Sequence, residues 1–191
     1  KNDAAFAKSL VEDSGATVFV NDAFGTAHRA HASTEGVSRF VKTSVAGLLM
    51  EKELKYLGMA LEAPEHPFVA VLGGAKVSDK IQVIESLLPR VDSLLVGGGM
   101  AYTFFRAKGL ATGKSLVEED KLALARTILQ RATERKAELV LPEDVVVAAS
   151  TDAKSGRVVA VDAIGKDDMA LDIGPKTVET FRKKLSGAKT V

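Results

Sequence analysis

The sequence predicts an α/β fold with parallel sheets, in two parts joined by a long helix. Three observations carry this. From residue 68 onward, short apolar runs alternate with segments of helical periodicity. Several of those runs stop at glycines. A helix-length apolar stripe at about 44–61 separates this region from a shorter α/β stretch before it. Strands alternating with helices give a parallel sheet covered on both faces.

The elements follow in order. A helix over about 3–13 is expected, capped by Asn2 or Asp3 and ended by Gly15. "TVFVNDAF" supplies a strand at 17–22, and "GTAHRAHAST" reads as a polar, basic loop or short helix. In the 44–61 helix, Met50, Leu54, Leu57 and Leu61 recur at spacings of four, three and four, a stripe expected to pack on its neighbours. Pro64 and Pro67 stop it. Strand 68–72 leads into a helix at 78–88, strand 93–96 into a helix at 100–108, and a longer helix covers 118–136. Extended runs at 138–141 and 144–149 come next. "RVVAVDAI" reads as an antiparallel or edge strand and "MALDIG" as a further strand. "PKTVETFRKKL" is a helix with Pro175 at its first position. "AKTV" begins another strand. Chains rarely end inside a buried strand, so a piece of a longer protein is expected.

Composition narrows the chemistry. The 26 basic residues balance 25 acidic ones, which argues against a dedicated nucleic-acid binder. There is no cysteine, so disulfides, thiolate metal sites and thiol nucleophiles are excluded; this suits a reducing, cytoplasmic setting. No apolar run is long enough to span a bilayer, so no membrane partner is expected. No His/Asp/Glu spacing suggests a metal cage.

The stretch "PFVAVLGGAKVSDKIQVI" (67–84) raises the central question. Lys76 and Lys80 stand at or inside the first turn of the expected helix, where a cation is disfavoured by roughly 0.3–1 kcal/mol. Like charges at i, i+4 add a few tenths of a kcal/mol of the same sign. Asp79 offsets only part of this, so the arrangement asks for an anion. In open parallel sheets ligands bind outside the carboxyl ends of the strands. Glycines fall at three such ends: Gly73-Gly74, Gly97-Gly98-Gly99 and Gly174. Glycine lets backbone amides approach a ligand; the alternative reading of any single cluster is that it merely makes the strand-to-helix turn. "GGAKVSDK" lacks P-loop spacing, and "GGGMAY" has Tyr102 where a dinucleotide fingerprint needs Gly or Ala. A second basic set, His28, Arg29 and His31, follows the strand ending at Asn21 and Asp22. Arg29 suits bidentate binding of a carboxylate or phosphate. Asp22 reads as a turn former, and His66 as a solvent-exposed linker residue.

At these residues the chain resembles phosphoglycerate kinase. "VFVNDAFGTAHRAHAST", "LGGAKVSDKI", "GGGMAYTF" and "LDIGP" carry the likeness, in matching order along essentially the whole chain. The resemblance implies parts of two Rossmann-like parallel-sheet domains joined by a hinge helix. Residues 1–43 would end the N-terminal phosphoglycerate-binding domain, 44–62 form the hinge, and 63–191 begin the C-terminal nucleotide-binding domain. It implies reversible phosphoryl transfer between 1,3-bisphosphoglycerate and ADP, giving 3-phosphoglycerate and ATP, with Mg2+ on the nucleotide, in a monomeric cytoplasmic enzyme. By similarity Arg29 and His28 would hold phosphoglycerate, Lys76 the transferring phosphoryl group and Lys80 the nucleotide phosphates. Gly74, Ala75, Gly98 and Gly174 would line the nucleotide pocket. Other basic residues of the family's phosphoglycerate site, and its second glycine-rich loop and acidic nucleotide ligand, are absent, so the chain is expected to be inactive alone. A non-catalytic nucleotide-binding module and an α/β interaction protein stand as the alternative readings.

Overall fold

The computed structural model describes residues 2–191, which divide into two compact units on either side of the boundary between Ala63 and Pro64. In the first, helix α1 (Ala4–Ser14) starts where the Asp3 carboxylate accepts the Phe6 amide at 2.7 Å, and ends at Gly15 with φ +63°. That left-handed residue favours glycine, because a Cβ there is strained. Strands β1 (Val18–Asn21) and β2 (Thr43–Ala46) pair in parallel, Val18 opposite Thr43 and Asn21 opposite Ala46. Between them lie a short helix α2 (Phe24–Ala27) and a 3-10 turn, Gly36–Arg39. Ala7, Ala32 and Val37 form a small core beneath Leu10, Val11 and Phe19.

Helix α3 (Leu48–Glu62) begins later than the sequence predicts, since residues 43–46 are a strand. The spacing of Met50, Leu54, Leu57 and Leu61 says nothing about those residues. Thr43 and Val45 are β-branched and favour the extended conformation they adopt. Asp22 supplies the start of α3, its carboxylate accepting the Met50 amide at 2.9 Å, while the Gly47 amide donates to the Asn21 carbonyl at 2.8 Å. Only Met50 of the stripe is buried; Leu54, Leu57 and Leu61 are 53%, 45% and 44% exposed, so the expected packing of this face is not seen.

In the second unit β3 (Val69–Leu72), β4 (Ser93–Val96) and β5 (Glu138–Val140) form a parallel sheet in that order. β4 is central and buried along its length, as expected when helices cover both faces. Leu94 and Val96 face Val77, Ile84, Met100, Phe104 and Ile128, carried by the 77–80 turn, α4 (Ile81–Leu87), α5 (Met100–Ala107) and α6 (Leu122–Glu134). Leu95 faces the other way, against Phe181 of α7 (Pro175–Ser186). The helices expected at 78–88 and 118–136 each open with a 3-10 turn, Ser78–Lys80 and Glu119–Lys121. Beyond β5 the chain departs from a purely parallel plan. β6 (Asp144–Ala148) pairs antiparallel with both β7 (Arg157–Ala160) and β8 (Met169–Ile173), giving the order β7-β6-β8. Thr190 forms a parallel bridge to Phe68, where the sequence places the start of a strand.

Asp144 locks α7 to this second sheet. Its carboxylate accepts the amides of Lys176 and Thr177 at 3.0 and 2.7 Å and the Thr177 hydroxyl at 2.6 Å. Burial pushes the Asp144 carboxyl up, but these donors outweigh it and hold it below the usual range. A carboxylate that ionises more readily folded than unfolded contributes stability above its unfolded pKa, about 3.9 for Asp. That contribution is lost as pH falls through the lower folded value. Denaturant titrations from about pH 7 to about pH 3 should therefore show a steeper loss for the wild type than for Asp144→Asn. Parallel curves would contradict the assignment.

A second expectation concerns α3. Asp22→Ala should cost about 0.5–2 kcal/mol, as for loss of a helix cap. A Cβ at Gly47 would meet Asp22 side-chain atoms at 2.3, 2.4 and 2.6 Å, its three nearest neighbours. Gly47→Ala should thus be less damaging in an Asp22→Gly background, which removes all three atoms, with a coupling of about 0.5–3 kcal/mol in a double-mutant cycle. Additive effects would mean the close approach is not what demands glycine.

Candidate functional site

β3 and β4 end level with each other, Leu72 opposite Val96, and both turn on glycine. The Gly97 amide donates to the Leu72 carbonyl at 2.8 Å and the Met100 amide to the Gly74 carbonyl at 2.9 Å. Gly98 has φ +68°, and a Cβ on it would stand 2.9 Å from both Gly74 N and Gly74 O. A Cβ on Gly99 would stand 3.0 Å from the Ala75 carbonyl oxygen. The two loops are packed backbone on backbone, so Gly74, Ala75 and Gly98 form one continuous surface. Gly174 follows β8, whose last residue, Ile173, lies 4.0 Å from where a Gly97 Cβ would stand. At Gly174 itself the demand is structural, since a Cβ would sit 2.3 Å from the Asp144 carboxylate.

Lys76 and Lys80 flank this surface. Lys76 is exposed; Lys80 is half-buried and caps α4, its Cε 3.7 Å from where a Cβ on Gly74 would stand. Among the described residues neither lysine makes a salt bridge, although acids are near. Asp120 pairs with Lys121 at 2.7 Å and is held below the usual carboxylate range chiefly by that bond, with Lys76 adding to the effect.

The helix start is less vacant of anions than the sequence suggests. Glu118, from the segment before α6, accepts the Ser78 amide at 3.0 Å and the Ser78 hydroxyl at 2.5 Å. Burial pushes the Glu118 carboxyl up, but the Ser78 and Val77 donors bring it below its ordinary value. What stays uncompensated is the pair of amines, not the Ser78 amide. Tyr102, two residues into α5, is buried, and burial with the nearby Asp172 charge pushes its phenol up to about 12. It is neutral at ordinary pH and offers no general base.

The first unit holds the other basic set. His28 ends α2, and the Arg29 Nε donates to His28 Nε2 at 3.3 Å, so that imidazole nitrogen serves as an acceptor. Both are exposed, and Arg29 makes no ion pair among the described residues. The Thr34 hydroxyl and the His31 amide donate to the Arg29 carbonyl at 2.8 and 3.1 Å, which ties down the backbone and leaves the guanidinium available. His31 is likewise exposed. Asn21 accepts the Ala23 amide at 3.1 Å, and Asp22 is spent on α3. His66 is exposed, as expected, and its Nδ1 lies 2.6 Å from Asp92 Oδ2, which also accepts the Phe68 amide at 2.6 Å.

His28 and Arg29 thus sit together in one unit, and Gly74, Ala75, Lys76, Lys80 and Gly98 in the other. The sequence reading missed Glu118 and Asp144. Their partners lie 40 and 33 residues away, and nothing local in "SLVEED" or "PEDVV" announces them.

The comparisons agree with this architecture. The phosphoglycerate kinase family model matches residues 1–191. The phosphoglycerate kinases of Chlorobium phaeobacteroides (strain BS1) and Anaeromyxobacter sp. (strain K) are each 58% identical over 100% of the chain and 48% of their own length. A solved phosphoglycerate kinase from Coxiella burnetii superposes with a TM-score of 0.83 at 43% identity, covering 98% of this chain and 48% of that one. The enzyme from Pyrococcus horikoshii OT3 gives 0.74 at 29% identity, over 100% of this chain and 50% of its own. The chain spans about half the length of the curated relatives it matches, and it belongs to the phosphoglycerate kinase family.

Proposed function

We propose that this chain is the central part of a kinase that transfers a phosphoryl group reversibly between 1,3-bisphosphoglycerate and ADP, yielding 3-phosphoglycerate and ATP. Residues 1–43 end the phosphoglycerate-binding domain, 44–62 serve as the hinge, and 63–191 open the nucleotide-binding domain. The observation that carries the reading is a pair of unpartnered lysines beside the backbone surface of Gly74, Ala75 and Gly98, in a chain that matches the family over its whole length.

Lys80 and the glycine surface hold the nucleotide phosphates, with Gly174 at the edge of the pocket. Arg29 and His28 hold the phosphoglycerate. Lys76 meets the phosphoryl group as it moves. The bond from phosphorus to the acyl oxygen breaks while the bond to the ADP β-phosphate oxygen forms. Both substrates carry good leaving groups, so no covalent intermediate on the protein is needed. Catalysis reduces to alignment and to neutralising the equatorial oxygens. Among the described residues no three His, Asp or Glu side chains gather to hold a metal. By likeness to the family, Mg2+ arrives on the nucleotide, as part of the substrate. The substrates bind separate domains, so a hinge motion brings them into line and excludes water. By the same likeness, the full-length enzyme would act as a cytoplasmic monomer on small-molecule substrates, without nucleic-acid or membrane partners.

The 191-residue chain alone should give no turnover in a coupled assay, because much of the phosphoglycerate site lies outside it. In the full-length enzyme Lys76→Ala should lower kcat roughly 10²–10³-fold, as for loss of a donor that acts chiefly in the transition state. Lys80→Ala should instead raise KM for ADP and leave kcat nearly intact, as for uniform binding. Two fully active variants with raised melting temperatures would mean the lysines are strained surface groups, and the reading would fall.

A further inference from the structure

Glu118 belongs to neither glycine loop, yet it closes the turn between the two lysines. Its carboxylate takes the Ser78 amide and hydroxyl at 3.0 and 2.5 Å. Its own amide donates at 3.1 Å to the hydroxyl of Thr103, a buried residue of α5. α5 begins at Met100, whose amide is bonded to the Gly74 carbonyl. A closed circuit therefore runs from Gly74 through α5, Thr103 and Glu118 to Ser78, four residues beyond Gly74. Val77, with no exposed surface, pins the same turn from the apolar side. The Lys80 amide donates to the Val77 carbonyl at 3.0 Å and completes the turn.

Two bonds to one carboxylate fix orientation as well as position. That matters because a lysine amine rides on a flexible four-carbon stem and is placed only as well as its root. We propose that Glu118 is a positioning residue for phosphoryl transfer, holding Ser78 so that the roots of Lys76 and Lys80 keep a fixed separation beside the Gly74–Gly98 surface. This rests on the kinase reading above. The same carboxylate fills the start of the 3-10 turn, so bound phosphates are directed to the amines and glycine amides and away from the Ser78 amide.

The test uses Glu118→Ala, Glu118→Gln and Ser78→Ala in the full-length enzyme. Glu118→Ala should lower kcat by about 10²-fold, the scale expected when a reacting group is misplaced by about 1 Å. Its KM for ADP should change by less than about tenfold, since nucleotide contacts made in the ground state survive. Glu118→Gln keeps a two-point pairing with Ser78, its amide oxygen accepting the Ser78 N–H and its NH2 donating to the hydroxyl, and should recover most of the rate. Ser78→Ala should fall between them. Hydrogen exchange at the 78–80 amides should quicken in Glu118→Ala and not in Glu118→Gln.

A purely stabilising Glu118 would lower Tm and leave kcat unchanged well below Tm, and that result overturns the proposal. So does a Glu118→Gln variant as slow as Glu118→Ala, which would make charge rather than geometry the cause. Should Glu118→Ala fail to fold, Ser78→Ala decides, and wild-type kcat there overturns it equally. Lys76→Ala and Lys80→Ala are run alongside. If they are fully active the kinase reading has failed; if they are impaired while the Glu118 variants are not, only the positioning role has.

Discussion

The close approach of two backbone turns governs the larger unit. Gly98 and Gly99 lie so near Gly74 and Ala75 that a Cβ on either would press into main-chain atoms, which cannot rotate away as a side chain can. This contact follows from the register of β3 and β4, which brings Leu72 and Val96 to the same level. Once the turns are locked, Met100 and Val77 both enter the core behind them. With Val77 turned inward, the chain on either side of it carries the lysines at the rim. Packing of apolar side chains thus decides where the cations stand, and the glycines let the strands end close enough for that packing to form.

Anions inside the protein are consumed at helix starts. Asp3 serves α1, Asp22 serves α3, Glu118 serves the 78–80 turn and Asp144 serves α7. Each satisfies amides that have no partner within their own helix. At α5 the cap is Gly99 and no side chain fills the role. The amides of Met100, Ala101 and Tyr102 go instead to the carbonyls of Gly74, Gly98 and Gly99, so the start of α5 is satisfied by the glycine loops themselves, and two amines without acidic partners among the described residues stand next to it.

Periodicity and punctuation made much of this legible. Asp3 and Gly15 mark both ends of α1, "SLLV" is β4 residue for residue, and the glycines after β3 and β4 do mark the carboxyl ends of the sheet. These signals are local, set by dihedral preference and by burial of one segment. What escaped was written between segments. β2 lies in a polar tetrapeptide whose conformation is fixed by pairing with β1. β7 is the antiparallel edge strand that "RVVAVDAI" suggests, but the runs that form its partners β6 and β8 carry nothing to state their direction. Glu118 and Asp144 find partners more than thirty residues away. The α3 stripe was visible, but its period reports which residues share a face and not whether anything covers that face.

The two units solve one electrostatic problem in the same way. A basic loop near a carboxyl-terminal strand end must keep its charge available, yet acids close by would quench it. In the first unit the nearest acids in sequence to His28 and Arg29 are Asp22 and Glu35; the first is turned aside to the Met50 amide and the second to Arg39. In the second, Glu118 reaches the lysine-bearing turn but is bonded to Ser78, while Asp120 is taken by Lys121. Asp22 and Glu118 each stabilise backbone beside the cations, and neither forms a salt bridge with them. Surface ion pairs contribute only about 0–1 kcal/mol, so leaving Arg29, Lys76 and Lys80 unpaired costs little. On the proposed reading, an arriving phosphate would meet cations that make no salt bridge among the described residues.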